Sequence, residues 1–275
     1  MQPETRTLWV SFLIVAMTLG CQATGTVEDD DVGSDDDVGD DDTADDDTAT
    51  DDDTGGDDDS APPSNFALSF HEEENRALTE ETTAVDLGEE FTVEFWFQRT
   101  GEMQSYLMDS RRAYALNDGN WAIYQVDSEM VSLTFFFVSE EGDKKLRGPD
   151  INDLGMGWHH LAIVCTGVGA YMYIDGMLEA YEEAAPIVWD LPAPLAVGHR
   201  HEGYPGGLEG GILDEVRLST VARYNAAFAP EPVLQADGDT ALLWHLDEGV
   251  GDVATDEVIG LDLALAGVQW VEAER

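Results

Sequence analysis

The residues best suited to contact chemistry lie in two stretches that are expected to be loops. Tyr106, Arg111, Arg112, Tyr114 and Asn117 fall within 103–120, and His199, Arg200, His201 and Tyr204 within 198–207. Aromatic and Arg side chains supply rigid contact area and fixed donors, and they dominate binding energy where a site uses them. Positive charge is otherwise scarce: residues 61–275 hold 39 acidic residues against 11 basic ones, a net charge of −28. A basic island on such a domain, with Arg76 as a further contributor, suits a ligand bearing carboxylate or sulfate. The alternative is that each arginine pairs with a neighbouring acid.

Other constellations are weaker. His199 and His201 would share one face of a strand, but zinc needs three or four ligands, and the glycines that follow indicate a loop. Retaining glycoside hydrolysis needs two carboxyl groups about 5 Å apart. Asp214 and Glu215 are adjacent, so a regular strand points them to opposite faces. The sequence has no G-x-S-x-G and no H-E-x-x-H motif. Cys165 closes an apolar run and is expected to be a small core residue.

Residues 8–20 form an apolar run of 13, too short to span a bilayer as a helix. Arg6, this run and the small Gly20 fit a signal peptide over 1–20. Cys21 follows directly and resembles the lipobox cysteine of bacterial lipoproteins, which is lipidated after cleavage. Gln22 in place of Asp implies, by the same resemblance, an outer-membrane or cell-surface address. An ordinary secreted protein is the other reading. With Cys21 lipidated, Cys165 has no partner for a disulfide.

The segment 21–64 carries aspartate triplets at 29–31, 35–37, 40–42, 45–47, 51–53 and 57–59. It has no aromatic residue and cannot offset the entropy of ordering, so it is expected to be a disordered acidic linker. Contiguous triplets in irregular register lack the alternation and turn glycine of a calcium loop. The whole-chain charge of −47 excludes nucleic acid as a partner and leaves a lipid as the only route to a membrane.

Residues 65–275 are long enough for one domain. Phe91, Val93, Phe95 and Phe97 alternate with Thr92, Glu94 and Trp96, the pattern of a half-buried strand. Strand-like runs recur at 66–70, 121–126, 131–138, 158–165, 170–174, 177–181, 212–219 and 241–246. Asp175-Gly176 between two of them predicts a two-residue hairpin. Only 220–228 could form a helical turn. Short strands with frequent turns predict an all-β, two-sheet antiparallel sandwich. The segment 240–275 is expected to complete a sheet, with Leu242, Trp244 and Leu246 on its buried face.

Several segments resemble the laminin-G-like, concanavalin A-like jelly-roll domains of bacterial surface proteins. They are Phe91-Thr-Val-Glu-Phe-Trp, Trp158-His-His-Leu-Ala-Ile-Val, Tyr171-Met-Tyr-Ile-Asp-Gly, Gly211-Ile-Leu-Asp-Glu-Val-Arg-Leu and Thr220-Val-Ala-Arg-Tyr-Asn-Ala-Ala-Phe-Ala-Pro. The resemblance implies a calcium site through Asp214, with Glu72, Glu74 or Asn75 standing in for a turn that here carries His71. Asp214 satisfying nearby backbone donors is the alternative. It also implies that one of His159 and His160 faces the core and the other faces outward. The E-x-D-x-E strand of the family's glycosidases is missing. The expected function is therefore non-catalytic recognition of a glycan or an extracellular or envelope protein. An assembly module or a polysaccharide hydrolase are the alternatives.

Overall fold

A computed structural model describes residues 65–80, 85–111, 120–125, 132–189, 194–200 and 206–275. The described elements all belong to the unit Asp58–Arg275. Among the described residues fifteen strands run in order: β1 Phe66–Phe70, β2 Arg76–Leu78, β3 Phe91–Asp109, β4 Trp121–Gln125, β5 Leu133–Ser139, β6 Gly142–Arg147, β7 Trp158–Thr166 and β8 Gly169–Ile174. After them come β9 Met177–Glu183, β10 Ala196–Val197, β11 Glu209–Ser219, β12 Thr240–Trp244, β13 Val253–Ala254, β14 Leu263–Ala266 and β15 Gln269–Glu272. Every pairing is antiparallel, and the chain is all-β as its alternation predicts.

Two sheets share the long strand β3. In sheet A its first half lies between β7 and β11, with β8 and β9 beyond β7 and with β1, β12 and β15 on the far side of β11. In sheet B its second half lies between β4 and β10, leading outward to β5 and β6 one way and to β2, β14 and β13 the other. The register with β7 runs unbroken from Phe91↔Cys165 to Gln98↔Trp158. That register sends Phe91, Val93, Phe95 and Phe97 inward beside Leu161, Ile163 and Cys165. Each such side chain, wholly withdrawn from water, contributes about 1.5–3 kcal/mol.

The crossing of β3 from one sheet to the other is held by a polar hub. Asn152 Oδ1 accepts from Met103 N at 2.9 Å and from Arg99 Nη1 at 3.1 Å. Gln125 Nε2 donates to Asp150 Oδ1 at 2.8 Å. Ser105, at φ 81°, lies where β3 stops pairing with β11 and begins pairing with β4.

The Asp-Gly hairpin forms as expected. Asp175 (φ 51°) and Gly176 (φ 74°) join β8 to β9, both in the left-handed region that such a two-residue turn demands. Gly176 has a second reason to be glycine, since a Cβ there would run into the Phe228 carbonyl. The tail also packs as expected, with Leu242, Trp244 and Leu246 fully buried in the main core. It supplies strands to both sheets, β12 and β15 to sheet A and β13 and β14 to sheet B.

The turn expected at 220–228 is not helical. The segment is irregular and lies on the outer face of sheet A, with Ala222, Tyr224 and Phe228 over Ala162, Val164 and Tyr173. The Tyr224 and Phe228 rings stack at 3.5 Å. A helix would bring these rings one turn apart on a free surface; here packing on the sheet outweighs local propensity.

Candidate functional site

The outer face of sheet A is closed by a buried polar network. Glu94, wholly buried, accepts from Arg217 Nε at 2.9 Å and Nη2 at 2.8 Å through one oxygen. Its other oxygen accepts from Tyr224 Oη at 2.8 Å and lies 3.3 Å from His160 Nε2. Burial alone would raise the Glu94 carboxyl, but His160 and Arg217 outweigh it and hold it below its ordinary value. A cleft of about 590 Å³ beside this network is lined by Arg217, Arg223, Tyr224 and Asp237. Its two arginines are already paired, Arg217 with Glu94 and Arg223 with both Asp237 oxygens at 2.9 and 2.7 Å.

The two histidines take opposite sides of β7. His159 stacks toward Phe97 and meets Asp175 Oδ2 at 2.7 Å. His160 points outward yet is the more deeply buried, because Tyr224 and Phe228 cover it. Cys165 is a buried free thiol packed in the core, and burial pushes its pKa up, away from the reactive thiolate.

Asp214 and Glu215 depart from the alternation. A β-bulge between Asp214 and Arg217, with Glu215 at φ 51°, keeps Leu213 and Val216 in the core. Both carboxylates therefore reach one cation rather than opposite faces: Arg275 Nη2 lies 3.0 Å from Asp214 Oδ2 and 3.4 Å from Glu215 Oε1. Trp96 and Trp158 flank that guanidinium, each 5.8 Å from its carbon. Burial, opposed by Arg275, pushes Asp214 up to about 8. His245 completes the cluster, with Nδ1 3.0 Å from Glu215 Oε2 and Nε2 2.9 Å from Glu257.

The residues expected to hold calcium have partners within the fold. Asp214 accepts from the Glu215 amide through one oxygen and turns the other to Arg275. Asn75 Oδ1 accepts from the amides of His71 and Glu72 at 2.9 and 3.0 Å, and its Nδ2 donates to Gly267 O. It caps its own turn. Glu72 is exposed on that turn. No group of three His, Cys, Asp or Glu side chains with metal-ligand geometry occurs among the described residues.

The outer face of sheet B holds the contact residues. Tyr106 lies within strand β3, not in a loop as expected, because the bulge after it breaks the alternation of 103–109. It faces Tyr124 across the β3–β4 pair with ring centroids 5.2 Å apart. Arg111 lies over Tyr106 at 5.3 Å and Phe136 at 5.5 Å, and Arg200 lies over Tyr106 at 5.5 Å. Two of the expected arginines thus converge on one ring. Arg111 is also bound to the buried Asp109 through Nε and Nη2 at 2.9 and 2.7 Å, which is the pairing alternative realised. His199 is not an open contact residue: it is buried, and its Nδ1 meets the Arg200 carbonyl. Burial, reinforced by Arg76, lowers its pKa although the carbonyl works the other way. Arg112, Tyr114, His201, Tyr204 and Cys21 lie outside the described residues.

Sequence reasoning missed the rest of this face. Tyr124 and Phe136 sit in runs recognised as strands but not as contact surfaces, and β6 was not recognised at all. The alternation Lys145-Leu146-Arg147, with the leucine buried between two exposed bases, was the available signal.

With the geometry in hand, known proteins bear on it. A model of the concanavalin A-like lectin/glucanases superfamily, of the laminin G type, matches residues 71–227, more than half of the chain. The chain belongs to that superfamily. No curated protein matches it in sequence. Among solved structures, a Bacteroides ovatus protein provisionally described as carbohydrate-binding superposes with a TM-score of 0.52 at 16% identity. The match covers 77% of this chain and 60% of that one, so the chain spans under two thirds of that neighbour's length. A heptameric SAP-like pentraxin from Limulus polyphemus gives 0.47 at 13% identity, covering 77% of this chain and 96% of the pentraxin. Domains LG4-5 of the mouse laminin alpha1 chain give 0.46 at 14%, covering 61% and 47%. The superfamily joins lectins with glucanases, so membership sets the fold and leaves the activity to the residues.

Proposed function

We propose that this chain is a non-catalytic recognition module for carbohydrate, displayed on a bacterial outer membrane or cell surface by a lipid on Cys21. One observation carries the recognition reading: Tyr106 and Tyr124 lie together on the outer face of sheet B with Arg111 and Arg200 over the Tyr106 ring. Stacking platforms bordered by fixed donors are how side chains hold sugar rings while keeping their polar edges bonded. The carbohydrate-binding description of the Bacteroides ovatus neighbour points the same way. An extracellular or envelope protein is the other kind of partner.

One feature favours a hydrolase: the buried pair Asp214 and Glu215, with Asp214 held at about 8. A general acid must reach its substrate. Both side chains are wholly buried beneath Arg275, which supports a structural role.

The test is a binding screen of the full chain against neutral and acidic glycans and envelope and matrix proteins, with and without calcium, while released reducing ends are measured. Saturable glycan binding without hydrolysis is the expected result. Release of sugar that Asp214→Asn abolishes would establish the hydrolase instead.

A further inference from the structure

Resting on the recognition reading, the placement of the bases bears on what kind of glycan is bound. Most basic side chains of this acidic domain are consumed by the fold. Arg217 is spent on Glu94, Arg223 on Asp237, Arg275 on Asp214, Arg111 on Asp109 and Lys144 on Glu141. Arg99 donates to carbonyls and to Asn152. Arg76, Lys145 and Arg147 differ: each is exposed, and no carboxylate pairs with any of them among the described residues; the last two lie together on β6.

The registers put Lys145 and Arg147 on the aromatic face. Tyr106 faces Tyr124, Tyr124 faces Thr134, and Thr134 faces Arg147, a row crossing four strands. At about 4.8 Å per strand the row is about 14 Å long. Lys145 stands beside it, opposite Phe136. Arg147 is close enough to Tyr124 to act on its phenol, opposing the burial that raises it. Arg200 lies over Tyr106 at the other end of the row.

In a domain with so many carboxylates, Lys145 and Arg147, which no described acid neutralises, leave a local positive field that screening confines to about 8–10 Å. We infer that this face binds an acidic polysaccharide with a ring lying on Tyr124, its uronate carboxylates or sulfates meeting Lys145 and Arg147. The carboxylate and sulfate cases share this anion chemistry.

The full chain is titrated with polygalacturonate, dextran sulfate, neutral dextran and polyglutamate at low and physiological salt, beside K145Q/R147Q and K145R/R147K. Both positions are exposed, so the melting temperatures should match wild type. The inference expects the Gln pair to weaken polyanion binding about tenfold and flatten its salt dependence, with the charge-conserving pair retaining both. The tighter of the two anionic arms identifies the group read. Equal binding of polyanions by wild type and the Gln pair overturns the inference, as does polyglutamate binding as tightly as the saccharides. If neutral glycans still bind through Tyr124, the recognition reading survives that outcome. No saccharide binding in any arm removes both.

Discussion

Glu94 ties three elements together: its own strand, Arg217 on β11 and Tyr224 of the covering segment. Replacing it with Gln keeps the shape and removes the charge, stranding the Arg217 guanidinium in a buried site. Glu94→Gln should therefore cost about 3–5 kcal/mol in denaturant unfolding. A loss under about 1 kcal/mol would mean that water or another acid takes over. His245 makes a pH-dependent contribution. Glu215, against the opposing effect of burial, raises its pKa from 6.5 to about 9. A raised imidazole stabilises the fold fully below its unfolded value and loses that contribution as pH climbs through the folded value. His245→Gln should thus destabilise by about 1 kcal/mol at pH 6, after allowance for solvent screening, and match wild type near pH 10. A constant difference across that range would assign its role to packing.

At the level of elements, legibility followed the strength of the local pattern. The first half of β3 and the Asp-Gly hairpin were readable because strict alternation and positive-φ turn residues leave few alternatives. The strand β6 was hidden by its polar sequence, Gly-Asp-Lys-Lys-Leu-Arg, of which only Leu146 is buried. The bulge at Asp214-Glu215 was hidden more deeply, since a left-handed Glu215 carries no sequence marker and only the inward demand of both Leu213 and Val216 produces it. The meeting of Arg275 with Asp214, 61 positions earlier in the chain, is a tertiary fact that no local pattern encodes. Half of the contact face was legible, as Tyr106, Arg111 and Arg200, because residue type suggested it. The other half depends on register across β4, β5 and β6. The tail offers the sharpest test at this scale. Trp244 is wholly buried and donates its indole N–H to Leu261 O at 2.9 Å. Trp244→Ala should cost about 3–5 kcal/mol, and truncation after Pro230 should leave no cooperative unfolding transition. A truncated chain that melts like the full one would make 231–275 an appendage.

For the whole molecule, the account joins a binding face to an anchor. Among the described residues no helix is long and apolar enough to cross a membrane. If Cys21 carries the lipid, Cys21→Ser should move the protein from the detergent phase to the aqueous phase on partition; retention in the detergent phase would show another anchor. Recognition is tested apart from anchoring and apart from ligand charge. Removing Arg111 would strand the buried Asp109 and confuse folding with binding. Tyr124→Ala avoids that, because its side chain is only half-buried on the outer face. The decisive measurement is the equilibrium dissociation constant of this variant for the glycan that the screen returns, taken beside its melting temperature. The account predicts a rise of about tenfold or more with the melting temperature held within about 3 °C. A folded variant that binds as wild type does would contradict it.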